Sequence, residues 1–165
     1  MSKTIYLIRH AKSDWGNENL KDIDRPLNER GYGDAHKMSL RLSEKKERPD
    51  IILTSNAIRA MSTALIFMRN LNVLGHDVKV NEHIYEATSD ELLNIIQNIN
   101  DKYSTVFIFC HNPGITNLVN RISNAAIDNI PTTGIACIDI EAEHWSQAGE
   151  VNGSLRYFDF PKKVG

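Results

Sequence analysis

Three short apolar runs alternate with stretches of helical periodicity, and this alternation restricts the possible folds strongly. The runs cover residues 5–8, 51–53 and 106–109. Continuous apolar runs of this length are typical of strands buried on both faces of a sheet. Strands that alternate with helices favour an α/β fold with a mostly parallel sheet. We therefore predict a three-layer α/β/α domain.

The helices between these runs begin at recognisable capping residues. Asn28 is expected to cap a helix whose apolar residues recur at steps of three and four. Thr88, with a glutamate three residues later, has the spacing of a capping box. Asn112 and Pro113 are interpreted as a helix cap followed by the first helical residue. A further apolar stripe in residues 57–68 predicts another helix.

The end of the chain predicts two late strands, at residues 134–140 and 155–160, which could pair antiparallel at a sheet edge. The sequence contains no repeat and no linker-like tract, so we expect one domain over residues 1–165. A chain of 165 residues is long enough to bury roughly 70% of its unfolded surface without a stabilising metal or disulfide.

The charge and cysteine content exclude several classes of protein. Nineteen Lys and Arg against 21 Asp and Glu give a net charge of −2, whereas a general nucleic-acid binder is usually basic. Cys110 and Cys137 are too few for a disulfide framework or a closed cysteine zinc site, so both are expected to be reduced and buried. No apolar stretch approaches the ~20 residues needed to span a bilayer. We expect a cytoplasmic monomer with no membrane or nucleic-acid partner.

Unusual polar residues follow the three buried runs. Arg9 and His10 end the first run, Ser55 ends the second with Arg59 shortly after it, and His111 follows the third. Ligands of such sheets bind beyond the carboxyl ends of the strands. Arginine presents a planar fork of donors that matches phosphate oxygens, and helix N-termini add N–H groups. The sequence thus predicts a site for a phosphoryl group.

These residue types also indicate a reaction. A neutral imidazole at His10 could take a phosphoryl group, and the nearby Arg9 cation disfavours the imidazolium. His111 could hydrogen-bond an oxygen on which charge develops. Glu86 is the best candidate to protonate a leaving group. Arg25 is interpreted as a structural ion-pair residue that could border the mouth of the site.

Four segments resemble the signature blocks of the histidine phosphatase superfamily, the phosphoglycerate mutase-like enzymes. They are Leu-Ile-Arg-His-Ala-Lys-Ser at 7–13, Ser-Asn-Ala-Ile-Arg-Ala at 55–60, Tyr-Glu-Ala at 85–87 and His-Asn-Pro-Gly at 111–114. Within it, the chain is most similar to the short SixA-type phosphohistidine phosphatases, as Asp-Arg-Pro-Leu-Asn-Glu-Arg-Gly at 24–31 supports. The resemblance covers nearly the whole chain and implies the histidine phosphatase fold.

The resemblance implies that His10 is the phosphorylated nucleophile and Glu86 the proton donor. It places the remaining site residues around the phosphoryl oxygens: Arg9, Arg59 and His111, with Ser13 at the border of the pocket. It implies no metal and no organic cofactor.

Departures from the family pattern bear on the substrate. Ala11 replaces the signature glycine, and Cys110 stands where many members have glycine. Gly16 follows Trp15 where the mutase branch has asparagine, which disfavours a mutase. The chain also lacks long insertions that would cover the pocket, and an open pocket suits a phosphate on a protein surface.

We predict a metal-independent phosphatase that works through a phosphohistidine intermediate and takes its phosphoryl group from phosphohistidine on a protein. Inorganic phosphate would be the product. Two alternatives stay open: a small-metabolite phosphomonoesterase or mutase of the same superfamily, and a non-catalytic phosphate-binding module.

Overall fold

The computed structural model describes residues 2–163, in which helices and strands alternate over most of the chain. The strands are β1 (Lys3–Arg9), β2 (Ile51–Thr54), β3 (Val78–Val80), β4 (Thr105–Cys110), β5 (Ile135–Ile140) and β6 (Ser154–Asp159). The helices are α1 (Glu29–Glu44), α2 (Ile58–Asn70), α3 (Ser89–Gln97) and α4 (Gly114–Ile122). Short 3₁₀ turns lie at Asp22–Asp24, Gly75–Asp77, Glu82–Ile84 and Trp145–Gln147.

The six strands form one sheet in the order β3-β2-β4-β1-β5-β6. β1, β2, β3 and β4 run parallel, β5 is antiparallel to β1, and β6 is antiparallel to β5. The predicted mostly parallel sheet with an antiparallel pair at one edge is confirmed. Because β2, β4 and β1 are neighbours, their carboxyl ends meet at the same edge of the sheet.

Alternating side chains of β1 divide the core into two layers. Ile5 and Leu7 pack among residues of α3 and α4, and Tyr6 and Ile8 pack among residues of α1 and α2. All four side chains are buried, and burying an aliphatic side chain of this size contributes roughly 1.5–3 kcal/mol. The prediction of a strand covered on both faces is confirmed, and so is the α/β/α layering.

Two of the predicted helix caps are present. The side chain of Asn28 accepts a hydrogen bond from the N–H of Gly31 at 2.8 Å. Thr88 and Glu91 form a reciprocal capping box, with the side chain of each accepting from the backbone N–H of the other. These caps fix the first turns of α1 and α3.

The predicted cap at Asn112 is wrong by one residue. Pro113 occupies the cap position and α4 begins at Gly114. The side chain of Asn112 is engaged elsewhere: it accepts from the hydroxyl of Thr116 and donates to the carbonyl of Ile130. The Asn112–Pro113 peptide bond is cis.

Two glycines allow helices to pack directly against the backbone of loops near the carboxyl edge. A Cβ atom on Gly31 of α1 would lie 2.1 Å from the carbonyl oxygen of Lys12, and one on Gly114 of α4 would lie 2.1 Å from that of Ala87. Side chains at either position would push these loops away. The loop after β1 and the loop before α3 are thereby held close to the helices.

β3 is absent from the sequence-based prediction. It has only three residues, and its two valines flank Lys79, so it forms no apolar run. Val80 is largely exposed, and β3 pairs with β2 alone at the edge of the sheet. Its pairing with β2 defines this strand, so the local sequence contains little that would predict it.

The cysteine prediction is confirmed, since Cys110 and Cys137 are both free and buried. Within residues 2–163, no helix combines the length and apolar character required to cross a membrane. In the same part of the chain, no group of three or more His, Cys, Asp or Glu side chains is arranged to hold a metal ion.

Candidate active site

The predicted residues converge at the carboxyl edge of the sheet. His10 directly follows β1, His111 directly follows β4, and Arg59 lies in the first turn of α2, after β2. Arg9 and Cys110 are partners in the β1–β4 register, so the loops that follow them are adjacent. Together they surround a cavity of about 220 Å³. Its lining comprises Arg9, His10, Lys12, Ser13, Trp15, Arg25, Arg59, His111, Asn112 and Thr132.

A larger cavity of about 680 Å³ lies elsewhere, between α3 and β2. Aliphatic side chains and asparagines form much of its lining, and Asp90 and Glu91 contribute acidic groups. No arginine or lysine of the described part of the chain lines it. The larger cavity therefore offers no cationic side chain to an anionic phosphoryl group, whereas the smaller one offers Arg9, Arg25 and Arg59.

The ring of His10 is fixed in one tautomer. Its Nδ1 lies 2.8 Å from the carbonyl oxygen of Ala11. Since a carbonyl can only accept, Nδ1 carries the proton and Nε2 has the free lone pair. His10 is only 7% exposed, and burial lowers its pKa to about 4. The hydrogen bond to the carbonyl of Ala11 raises the pKa of His10, whereas the charges of Arg59, Arg9 and Arg25 lower it further. The ring of His10 is thus neutral at pH 7, with a free lone pair on Nε2.

Ser55 orients the second histidine. The ring centroids of His10 and His111 are 5.1 Å apart, and Nε2 of His111 lies 2.8 Å from Oγ of Ser55. That oxygen also accepts from the N–H of Ala57 at 3.0 Å, so its own proton is available to His111. Nδ1 of His111 then carries the ring proton. Burial, followed by the effects of His10 and Arg59, lowers the pKa of His111 to about 3.

Titration by NMR tests these protonation states. We expect His10 and His111 to stay neutral, with the proton on Nδ1, down to about pH 5. Both pKa values lie below the ordinary 6.5 because burial disfavours the imidazolium. The unfolded chain takes up these protons first, so the free energy of unfolding should decrease as the pH falls below about 6.5. Nitrogen chemical shifts report both the tautomer and the charge.

The matched control is Ser55→Ala. It should change the tautomer populations of His111 and leave those of His10 unchanged. Titration of either ring near its ordinary pKa would show that the site is not built around two neutral histidines.

The arginines leave specific donors unused. Arg9 donates from Nη1 to the carbonyl of Ile130 at 2.9 Å, and Arg59 donates from Nη1 to the carbonyl of Asp22 at 2.8 Å. Nε of Arg9, Nε of Arg59 and Nδ1 of His111 are all buried without an acceptor among the described residues. Buried donors without partners are costly. The residues that bear these donors all line the cavity, whose charged lining side chains are Arg9, Lys12, Arg25 and Arg59. A cavity with this lining suits an anion.

Asp22 is a component of the site that sequence reasoning missed. Its Oδ2 accepts from Nη2 of Arg59 at 3.0 Å and from the hydroxyl of Tyr85 at 2.5 Å. Its Oδ1 accepts from Nε and Nη2 of Arg25 at 3.1 and 3.0 Å. Burial raises the pKa of Asp22, but the hydrogen bonds from Tyr85, Arg25 and Arg59 outweigh it and lower the pKa to about 2. Asp22 is therefore a carboxylate that clamps both guanidinium groups.

Arg25 forms the predicted ion pair and also lines the cavity. Its spacing of three residues from Asp22 is the only local signal for that pair. Ser13 lines the cavity too, where its hydroxyl accepts from Nη1 of Arg25 at 2.5 Å. The contacts of Asp22 with Arg59 and Tyr85, and that of Ser55 with His111, could not be found by spacing, because these partners are distant in the sequence.

Glu86 is the one predicted residue that does not line the cavity. Its side chain is exposed, and its backbone has a φ of 54°. The neighbouring Tyr85 is closer to the site, since its ring lies 5.6 Å from that of His111 and its hydroxyl binds Asp22. Cys110 is fully buried and burial raises the pKa of its thiol, so it is an uncharged core side chain beside His111.

A family model for the histidine phosphatase superfamily (branch 1) matches residues 5–91, which is more than half of the chain. The chain belongs to this superfamily. The matched segment contains His10, Arg59 and Glu86 and ends before His111. Membership favours phosphatase chemistry and agrees with the cavity described above.

Solved histidine phosphatases have the same fold. A protein assigned as phosphohistidine phosphatase SixA from Agrobacterium tumefaciens superposes with a TM-score of 0.81 and 28% identity, covering 96% of this chain and 98% of that one. The protein histidine phosphatase SixA in complex with tungstate superposes with a TM-score of 0.81 and 19% identity, covering 96% and 97%. At 19% identity the second likeness concerns the fold alone. The predicted SixA-type relationship is confirmed.

Relatives in sequence have varied names. An uncharacterised chloroplast protein of Arabidopsis thaliana is 29% identical over 164 residues, covering 93% of this chain and 73% of that protein. A 2,3-bisphosphoglycerate-dependent phosphoglycerate mutase of Clavibacter michiganensis subsp. michiganensis is 36% identical over 69 residues, which are 41% of this chain and 28% of the mutase. The likeness to the mutase is thus confined to a part of each chain.

Proposed function

We propose that this histidine phosphatase superfamily member hydrolyses phosphohistidine on a protein through a phospho-His10 intermediate. One observation carries the proposal: cationic side chains line the same cavity as His10, whose neutral ring has a free lone pair on Nε2. A phosphoryl group in transfer has three equatorial oxygens. Arg9, Arg59 and His111 would donate hydrogen bonds to these oxygens.

In the first step, Nε2 of His10 attacks phosphorus in line with the departing group. A new N–P bond forms, the bond to the leaving group breaks, and its electron pair goes to the leaving group. The charge on the equatorial oxygens meets donors that are already in place, so little reorganisation is needed.

In the second step, water attacks phosphorus and inorganic phosphate leaves His10. The contact of 2.8 Å between Nδ1 and Ala11 holds the proton on the ring of His10. A phosphorylated ring that keeps this proton is cationic, and a cationic imidazolium leaves as a neutral imidazole. Ala11 therefore keeps the intermediate reactive toward water.

Two observations favour a P–N bond in the substrate. An imidazole protonated on its other nitrogen departs without an acid from the enzyme, and among residues 2–163 no carboxylic acid lines this cavity. The similarity over nearly the full chain to a protein assigned as SixA points in the same direction.

The size of the cavity bears on which part of a substrate it holds. Its volume of about 220 Å³ suits a phosphoryl group more than a whole metabolite.

The purified protein should release inorganic phosphate from a phosphohistidine-bearing protein, and from an aryl phosphate more slowly, in the presence of a metal chelator. Absence of release from both substrates would refute the proposed function. Transfer of the phosphoryl group to a second metabolite would support the mutase alternative, and binding of phosphate without turnover would support the binding module.

Glu86 stays our proposed proton donor for ester substrates. We expect Glu86→Gln to slow hydrolysis of an alkyl phosphate at least about tenfold, because an alkoxide requires a proton as it leaves. Phosphohistidine hydrolysis should change less than about twofold, because its leaving group is already protonated. Steady-state rates on both substrates measure the difference.

Glu82→Gln is the matched control, since Glu82 is an exposed acid in the same loop. It should slow neither reaction. Equal slowing of both reactions by Glu86→Gln would count against the leaving-group argument. If Glu86→Gln leaves the rate of ester hydrolysis unchanged, Glu86 is not the proton donor.

A further inference from the structure

Trp15 is unusual in its exposure. Its side chain is 71% exposed, the largest exposure among the large hydrophobic residues of the described chain, yet it also lines the small cavity. Leaving an indole in water forgoes the stabilisation that burial would provide. Because Trp15 lines the cavity, its open ring is in a position to contact a ligand bound there.

The indole is held in place by Arg25. Cζ of Arg25 lies 3.5 Å from the ring centroid, which is a close cation–π contact. The guanidinium cannot rotate freely, because Nε and Nη2 donate to Asp22 and Nη1 donates to Ser13. Arg25 is therefore a fixed support for Trp15, and most of the indole surface stays open.

The reaction geometry directs the leaving group toward this ring. His10 is 7% exposed and forms the inner part of the cavity, whereas Trp15 forms its exposed part. In-line displacement puts the leaving group opposite the attacking Nε2 of His10. The departing group is then on the outer side of the phosphoryl group, where the indole is.

We propose that Trp15, supported by Arg25, is a stacking platform that recognises the imidazole ring of a phosphohistidine substrate. This inference rests on the proposed function and specifies the class of leaving group. The substrate ring is cationic when its second nitrogen is protonated, and tryptophan is the preferred partner for a cation over an aromatic face. The P–N bond of the substrate breaks, its electron pair returns to that nitrogen, and the ring departs as neutral imidazole.

A pair of small substrates isolates the contribution of the ring. Phosphoramidate and phosphoimidazole both contain a P–N bond, but only the second has an aromatic leaving group. Trp15→Ala should lower kcat/KM for phosphoimidazole about fivefold, mainly through KM, as expected for the loss of one stacking contact. For phosphoramidate the change should stay below about twofold, and Trp15→Phe should restore most of the loss.

Leu20→Ala is the matched control, because Leu20 is an exposed apolar residue of the same segment that does not line the cavity. It should alter neither substrate. If Trp15→Ala lowers kcat/KM equally for both substrates, or for neither, the proposed role of Trp15 as a stacking platform is refuted.

A binding measurement separates this inference from the proposed function. In the His10→Gln protein, which has no nucleophile at this position, phosphoimidazole should shift the indole NMR signals of Trp15 by its ring current. Phosphoramidate, which has no ring, should not shift these signals. Absence of that shift overturns the platform even if the wild-type protein is an active phosphatase. Presence of the shift supports it even if turnover is absent.

Discussion

Replacing His10 with glutamine should abolish turnover, with a loss on the order of 10⁴-fold or more, as expected when the nucleophile of a covalent mechanism is removed. Glutamine is polar and of similar size, but it has no nucleophilic nitrogen. The three donors around the cavity are unchanged, so inorganic phosphate should still bind. Steady-state phosphate release and a phosphate titration measure the two effects separately.

His76→Gln is the control for this substitution, since His76 is an exposed histidine outside the cavity. It should have wild-type activity. A His10→Gln protein that keeps a substantial part of its activity would exclude His10 as the nucleophile, and water or another side chain would then have to attack the phosphoryl group.

Replacing Arg59 with alanine should lower kcat/KM by about 10²–10³-fold, the usual cost of removing one donor to a developing oxyanion. Arg59 is nearly fully buried, and its Nε is one of the three unpartnered donors. The kcat/KM of Arg59→Lys should exceed that of Arg59→Ala by less than about tenfold, because lysine lacks the planar fork of donors. The charge of Arg59 also depresses the pKa of His10, so Arg59→Ala should raise that pKa.

Arg69→Ala provides the comparison, because Arg69 is an exposed arginine near the end of the same helix. In Arg69→Ala, neither kcat/KM nor the pKa of His10 should differ from the wild-type value. A loss below tenfold in Arg59→Ala, or a decrease of the His10 pKa, would contradict the position that we assign to Arg59.

Much of the fold could be predicted because its determinants are local. The run at residues 5–8 fits a strand buried on both faces, and Asn28 and Thr88 cap the helices that follow them. Once β1, β2 and β4 are placed in a parallel sheet, His10 and His111 must share one edge. The location of the candidate site follows from that topology.

The missed features depend on contacts between distant segments. Arg59 and Asp22 are 37 residues apart, and His111 and Ser55 are 56 apart. No spacing in the sequence encodes such pairs, although the carboxylate of Asp22 determines how Arg59 is held. The backbone of Glu86 is another such feature, because a left-handed φ of 54° in a loop cannot be deduced from Tyr-Glu-Ala alone.

The two neutral histidines also depend on tertiary structure. The sequence predicts that arginine charges disfavour the imidazolium of His10, and the structure adds burial as the larger cause. For His111 the hydrogen bond from Ser55 sets the tautomer that puts the ring proton on Nδ1, which has no acceptor among the described residues. The residue types predict the chemistry, whereas the packing determines which atom of each side chain is available for it.

Trapping the covalent intermediate tests the central claim most directly. The wild-type protein should be mixed briefly with phosphoramidate or a phosphohistidine-bearing protein, quenched in base, and digested for mass spectrometry. We predict one acid-labile phosphoryl group, attached to Nε2 of His10, because Nδ1 is engaged with Ala11. Phosphate release without any phosphoryl group on His10, or with the group on another residue, would contradict the account.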